Sequence, residues 1–481
     1  MKNCIRIFLT ITLSGCGIIE AETFSERDVI HRALSSNTEL AVRHITLASQ
    51  SLSLDKAKSL RLPQVNLSIT PRFSPLDSSV IVQNGVTYGQ NSNELGVDGS
   101  AGISQYLPGG GKTSVGLSQA FAQSNSGSLD QKQTRYSIGV SQPLLAGAWK
   151  HNPIDYAITL ARFDHKKVSL QEKKTLLETL SVIRHLFWSC YEQKMNAEII
   201  NTQLAYTREQ REMALQRFLL GEATIIDTLS TSIEELKIKK LAVIQKNALS
   251  QARAQLATAL MLAPDSLETT VPAQFDFMEI PAADTLINQV LAFDPQIQLF
   301  SVIRSALQVQ FDNSRNRLLP SLSAGMTLSH DDSRNPLFTR GSSRSDNLVF
   351  NLIFSYALPL RQEKLTVQQA ALSQKQNELY AENRTLALRN QVNQLIDSWK
   401  AELAKLEISD ATRQVARQQF DATRLAFSLG SVSRLEMLRA QADLNAAESD
   451  YVAGCVDMKR VEVVVQELTG ITLAVFGVSV E

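Results

Sequence analysis

Apolar residues in this chain follow two periods that take turns. The helical stretches are very long. From 152 to 218 there are 67 residues with no proline after Pro153, and from 361 to 427 another 67 with none. At about 1.5 Å per residue, each predicts a helix about 100 Å long. In the second, Leu365, Leu372, Leu379 and Leu386 recur every seven residues, and Val392, Trp399 and Leu406 continue the period after a shift of face. Heptads hold an apolar seam towards a partner helix, which predicts a coiled coil. Between the helices lie short stretches that alternate at period two: "QVNLSIT", "GVDGSAGISQYL", "TSVGLSQAFA", "RYSIGVSQ", "PSLSAGMTLS" and "NLVFNLIFSYALPL". These predict strands.

The order of elements occurs twice. A shift of 257 places Ile30 on Ile287, Leu34 on Leu291, Asn37 on Asp294, Leu40 on Ile297 and Pro63 on Pro320. A shift of 209 places "FLLGEATIIDTL" on "FSLGSVSRLEML", matching Phe218 with Phe427, Gly221 with Gly430, Thr224 with Ser433, and Asp227 with Glu436. The predicted first repeat, 16–262, has a helix at 24–60, strands within 64–145, a long helix at 152–218 and a return helix at 222–262. An equatorial linker at 263–283 follows. The second repeat, 284–470, has a helix at 284–318, strands within 320–360, a long helix at 361–428 and a return helix at 432–468. A tail, 471–481, closes the chain. Shorter helices stacked end to end would match each long one. The insertion at about 73–135 leaves the first repeat's strand count open.

"YLPGGGKTSVG" (106–116) raises a nucleotide-binding question. A phosphate loop, G-x-x-x-x-G-K-[ST], needs glycine where Tyr106 stands. Alternating stretches flank the glycines, so they read as a hairpin turn, exposed at the rim of the sheet. No H-E-x-x-H occurs among the 6 histidines, and no G-x-S-x-G occurs. No enzyme, cofactor or metal site is expected. Gly221 and Gly430 suit the positive φ that ends a helix, and Thr224 and Ser433 suit the cap of the next one.

Composition narrows the class. Lys+Arg and Asp+Glu balance at 48 each, which argues against a nucleic-acid partner, and no apolar run is long enough for a transmembrane helix. Lys2, Arg6 and "IFLTITL" (7–13) read as an export signal over 1–15, whose removal leaves 46 basic against 48 acidic residues. The signal closes with "LSGC" (13–16), which resembles the lipobox of bacterial lipoproteins. That resemblance makes Cys16 the lipid attachment point, and Gly17 is not the Asp that favours inner-membrane retention. Ordinary cleavage a few residues later is the alternative. Cys190 and Cys455 lie in helical patterns and their pairing stays open. An exported chain without an apolar helix enters a bilayer only as a closed barrel. Four to six strands are too few for one chain to close it, so copies must pool their strands.

Signal, lipobox, twofold repeat and the two F-x-x-G-x-[AV]-[ST]-x-x-[DE]-x-L turns together resemble the TolC-like outer membrane efflux proteins, over nearly the whole mature chain. The resemblance implies an α+β membrane fold. It implies a homotrimer whose β-barrel, about four or more strands per protomer, continues as an α-helical coiled-coil tunnel across the periplasm. It further implies a passive exit duct among outer membrane lipids in a Gram-negative-type bacterium. A periplasmic adaptor (membrane fusion) protein and an inner-membrane pump of resistance-nodulation-division or ABC type would be its partners. Phe218, Gly221, Thr224, Phe427, Gly430 and Ser433 would form the adaptor-docking tip. Asp227 and Glu436 match positions that carry acidic residues near the periplasmic constriction in that family; in a trimer they would form a ring of carboxylates. Solvated helix surface is their other reading. Arg439 stands where the family has a further acidic residue. The rival function is a lipid-anchored periplasmic coiled-coil protein without a pore. Cargo is not legible.

Overall fold

The computed structural model describes residues 22–83, 86–124, 130–263, 267–269, 275–334 and 342–476. The expected signal, Cys16 and the last residues of the tail lie outside them. The chain divides into two compact units, one holding residues up to 43, 172–295 and from 385 on, the other 44–171 and 296–384.

A six-stranded antiparallel sheet dominates the second unit. Its strands are β2 (Gln64–Gln83), β3 (Val86–Tyr106), β4 (Lys112–Ser124), β5 (Asp130–Pro143), β7 (Ser321–Arg334) and β8 (Ser342–Ser355), in the order β2-β3-β4-β5-β7-β8. Four strands therefore come from the first half of the chain and two from the second. Helix α2 (Thr38–Ser59) leads into β2, β5 leads through a short 3-10 turn into α3 (Pro153–Leu219), α6 (Pro295–Asn316) leads into β7, and β8 leads into α7 (Arg361–Ser428). Asn152 starts α3: its Oδ1 accepts from the Asp155 N–H at 2.8 Å, ahead of a proline at the first helical position.

The glycine turn of the β3–β4 hairpin sits at this helix-bearing end rather than on an exposed rim. Leu107 N–H donates to Gly111 O at 2.7 Å, and Gly109 O accepts from Trp149 N–H and from Gln142 Nε2, each at 2.9 Å. Gly110 has φ +86°, and a Cβ there would lie 2.6 Å from the Cβ of Asn152. Close approach to the start of α3, not phosphate binding, is what demands glycine here.

In the first unit, α1 (Glu26–Ser36), α4 (Ile225–Leu260), α5 (Ala283–Phe293), α8 (Arg434–Thr469) and α9 (Ile471–Val475) pack with parts of α3 and α7, which run through both units. The main core gathers Val29, Ile183, Phe187, Trp188, Tyr191, Leu256 and Val463. Glu26 receives Arg184 Nε at 2.5 Å and Trp188 Nε1 at 3.3 Å beside it. Within the expected linker, β6 (Leu267–Thr269) pairs in parallel with β1 (Glu22–Phe24), and Phe275 stacks on Phe277. Phe275 also lies 6.1 Å from Trp188, so this segment is part of the packing. Cys190 and Cys455 are buried thiols in different clusters.

Two expectations need correction. The helix expected over 24–60 is two helices, broken at Asn37, and the one over 284–318 is broken at Asp294. The two positions fall on one another in the 257-residue shift. Asp294 precedes Pro295, whose ring forces an extended residue before it. Asn37 reaches the same geometry through its side chain: Oδ1 accepts from Glu39 N–H at 2.9 Å, and Nδ2 donates to Ala259 O at 3.1 Å. The heptad leucines also differ. Val392 and Leu406 are buried, but Leu365, Leu372, Leu379 and Leu386 are 53–70% exposed. Among the described residues no helix covers that stripe.

Candidate channel sheet and tip turns

One row across the sheet reads Val65, Ile103, Val115, Ile138, Leu328 and Leu348, residue paired with residue through all six strands. Every member is apolar and 47–65% exposed. The adjacent row, on the opposite face, reads Asn66, Gly102, Gly116, Ser137, Ser329 and Asn347. Beyond it on that face, the Ser68 and Ser100 hydroxyls meet at 2.7 Å and Arg135 Nε donates to Asp331 Oδ1 at 2.5 Å. One face is thus greasy; the other is mostly small and polar, with Val349 and Ile353 of β8 as its apolar members. Among the described residues no helix is long and apolar enough to cross a membrane.

The apolar band also slants. On β8 it runs from Phe354 to Leu348, and the row at Leu348 reaches Val65 on β2. The band on β2 then continues from Val65 to Phe73, eight residues farther. Eight residues over five strand steps, at ~3.3 Å per residue and ~4.8 Å per step, is a tilt of about 45°. Barrel strands tilt by about this much. Nine residues from Val65 to Phe73 match the length of a tilted transmembrane strand.

The two repeat turns are built alike. Glu222 N–H donates to Arg217 O at 2.9 Å and Gly221 N–H to Phe218 O at 3.0 Å; Ser431 to Ala426 and Gly430 to Phe427 repeat both distances. This double bond closes a helix around a left-handed residue, and Gly221 and Gly430 supply φ +78° and +75°. A capping box then opens the next helix. Thr224 N–H donates to Asp227 Oδ2 at 3.0 Å, and Ser433 N–H to Glu436 Oε2 at 2.8 Å; each carboxylate residue's N–H returns a bond of 3.3 Å to the hydroxyl. Asp227 and Glu436 are therefore cap members first. Bonds from Thr224 hold the Asp227 carboxyl below its ordinary pKa, with Arg434 adding to the effect. Bonds from the Ser433 backbone and hydroxyl do the same for Glu436, helped by Arg439. Both carboxylates are exposed. Phe427 packs on a cluster around Phe420 and Met437, while Phe218 is 38% exposed.

Arg434 joins the turns. Its Nη1 donates to Asp227 O at 3.0 Å and to Ser230 Oγ at 3.3 Å. Sequence comparison passed over it because its repeat partner is Ile225. A charge in an apolar slot of the repeat was the available signal. Leu220, Ile226, Leu429 and Leu435 stand exposed around the turns.

Residues 286–470 match the outer membrane efflux protein family. The match takes in the second repeat and its tip turn. The fold resemblance extends over both halves of the chain. The Campylobacter jejuni CmeC outer membrane channel aligns over 92% of this chain and 85% of its own, with TM-score 0.67 and 13% identity. The outer-membrane channel OprN aligns over 92% and 89%, with TM-score 0.65 and 15% identity. CusC, described as forming a transmembrane channel, aligns over 95% of each chain, with TM-score 0.65 and 13% identity. At such identities the likeness is one of fold. No curated protein sequence matches the chain.

Proposed function

We propose that the chain is the outer membrane duct of a tripartite efflux or type I secretion system. In this reading three copies line a passive exit path. An inner-membrane pump delivers the substrate, and a periplasmic adaptor docks at the tip turns. The observation that carries the reading is the sheet, which presents a continuous exposed apolar row across all six strands. A periplasmic coiled-coil scaffold without a pore would have no use for a six-strand belt of exposed Val, Ile and Leu. The efflux-family match and the channel folds support the same choice. Lipid on Cys16 would add an anchor to the barrel. The exposed apolar side chains around Gly221 and Gly430 suit adaptor docking.

In a trimer, three Asp227 and three Glu436 would ring the constriction and favour cations. The test must keep the capping boxes, because alanine would remove them as well as the charge. Asp227→Asn with Glu436→Gln retains an acceptor oxygen at each cap. In planar bilayers the native protein should conduct with a preference for cations, and the double variant should lose most of that preference while assembling normally. Unchanged selectivity would return both residues to solvated surface. A correctly assembled native protein that never conducts would remove the duct itself.

A further inference from the structure

We propose that the apolar face of the sheet carries a site for one phosphorylated lipid, its phosphate held by Lys132, Arg334 and Arg344 and an acyl chain laid in the depression beside Ala101. The proposal rests on the duct reading, in which this face meets the bilayer, and adds the chemistry of a lipid that the chain selects there. Because the apolar band slants, rows that are greasy on β2 turn polar by β8. The row Leu67, Ala101, Leu117, Tyr136, His330 and Asp346 crosses the edge of the band. The next two rows on this face end in Thr134, Asp332 and Arg344, and in Lys132, Arg334 and Ser342. They lie beyond the band at the end of the sheet away from the helices, at the depth where lipid headgroups begin.

The charges there are arranged for an anion. Lys132 and Arg334 are paired directly across β5 and β7. Residues so paired have Cβ atoms about 4.5–5.5 Å apart, and like charges at that spacing repel. Arg344 is the diagonal neighbour of Arg334, which places it about 7–8 Å away. All three side chains are exposed. The carboxylates of this face are engaged with other partners. Asp346 Oδ1 meets His330 Nδ1 at 2.6 Å, and Asp332 Oδ2 lies 3.8 Å from Arg344 Nε. Among the described residues neither carboxylate pairs with Lys132 or Arg334. Two opposed cations with a third beside them remain. A phosphate between them relieves the repulsion, and the guanidinium forks suit its oxygens. Lys132 Nζ lies 5.5 Å from the centre of the Phe121 ring, so its stem rests on the apolar surface while its charge points outward. A zwitterionic headgroup brings its own cation and would add to the repulsion; a headgroup ending in phosphate would not.

A second observation points to the rest of the lipid. A depression of about 580 Å³ lies in the apolar face at the foot of the cluster. Ile103, Leu117, Tyr136, Ile138 and Leu328 line it, and the small side chain of Ala101 leaves room between Leu67 and Leu117 in their row. His330 lines the side nearest the cations, its ring 6.2 Å from that of Tyr136. Arg334 stands four residues beyond His330, about 13 Å at ~3.3 Å per residue. Apolar groove, then tyrosine and histidine, then cations is the order of acyl chain, polar backbone and phosphate in a lipid. Tyrosine suits the boundary because its ring is apolar and its hydroxyl is not. A soluble phosphate compound would leave the groove empty, so the occupant is a lipid.

Native mass spectrometry of the assembled full-length protein in detergent tests the site, with dioleoyl phosphatidic acid and dioleoyl phosphatidylcholine as probes. The native protein should retain phosphatidic acid about tenfold more strongly, one lipid per copy, as expected for charge-assisted bonds to phosphate. Lys132→Gln with Arg334→Gln and Arg344→Gln should abolish that preference. Lys150→Gln with Arg361→Gln and Lys364→Gln removes as many cations at the helix-bearing end and should leave it intact. Ala101→Phe, which fills the depression with every charge kept, should weaken phosphatidic acid several-fold. Inorganic phosphate at the concentration of the lipid should not displace it. Equal retention of the two lipids by the native protein, an equal loss in the helix-end variant, or full retention in the triple variant or in Ala101→Phe would overturn the site. Displacement by inorganic phosphate would overturn it too, because the headgroup alone would then be the ligand. Conduction in planar bilayers is read separately, so protein that conducts without preferring phosphatidic acid loses the site and keeps the duct.

Discussion

Ile138→Lys is expected to cost about 2–4 kcal/mol of stability in a bilayer, while Ser137→Lys next to it is tolerated. Ile138 occupies the centre of the apolar row, 55% exposed and flanked by Val115 and Leu328. If that face meets lipid, a lysine there must carry its ammonium out of hydrocarbon. Ser137 points the other way, in the row of Gly116 and Ser329. A lysine at 137 would stay in water. Strand, length change and charge are the same for both variants, so only the face differs. Urea titration of protein refolded into vesicles reads the difference. Equal costs at 137 and 138 would mean that neither face is selected by a membrane.

Trp188→Ala is expected to cost about 3–5 kcal/mol, from lost burial and the cavity left behind. Trp188 is 4% exposed and meets Phe187 at 5.2 Å and Tyr191 at 5.7 Å, both edge-on. It also touches Phe275 from the linker segment and helps Arg184 hold Glu26. Arg184 is nearly fully buried, so loosening Glu26 leaves a buried cation with weaker compensation. Trp399 on α7 is only partly buried, so Trp399→Ala should cost less. The two variants are compared by their urea midpoints in detergent. A loss below about 1 kcal/mol at 188 would move the centre of this core elsewhere.

Legibility followed locality. The long helices and the strands announce themselves because period and proline placement are local signals, as at Asn152-Pro153 and at Pro320. The tip turns were legible because glycine at a left-handed position and a hydroxyl three residues before a carboxylate have few other uses. The break at Asn37 was not, since asparagine alone does not stop a helix; its cap bond to Ala259 is a tertiary contact. The heptad of Leu365 predicted a partner helix, and the described residues place none on Leu365, Leu372, Leu379 or Leu386. Arg434 was hidden because its role is to bind the other repeat's backbone. The carboxylates of Asp227 and Glu436 looked like pore charges, and the capping boxes show that the same atoms hold the turns. That the sheet has six strands depended on how the 73–135 insertion pairs, which is long-range register.

The central claim is that this sheet becomes a water-filled path through a bilayer. Swelling of proteoliposomes in isosmotic sugar measures that path directly. Vesicles holding the assembled protein should swell in a small sugar such as arabinose, and more slowly as the sugar grows, with no added energy source. Vesicles that hold correctly inserted trimer and do not swell in any sugar would contradict the account.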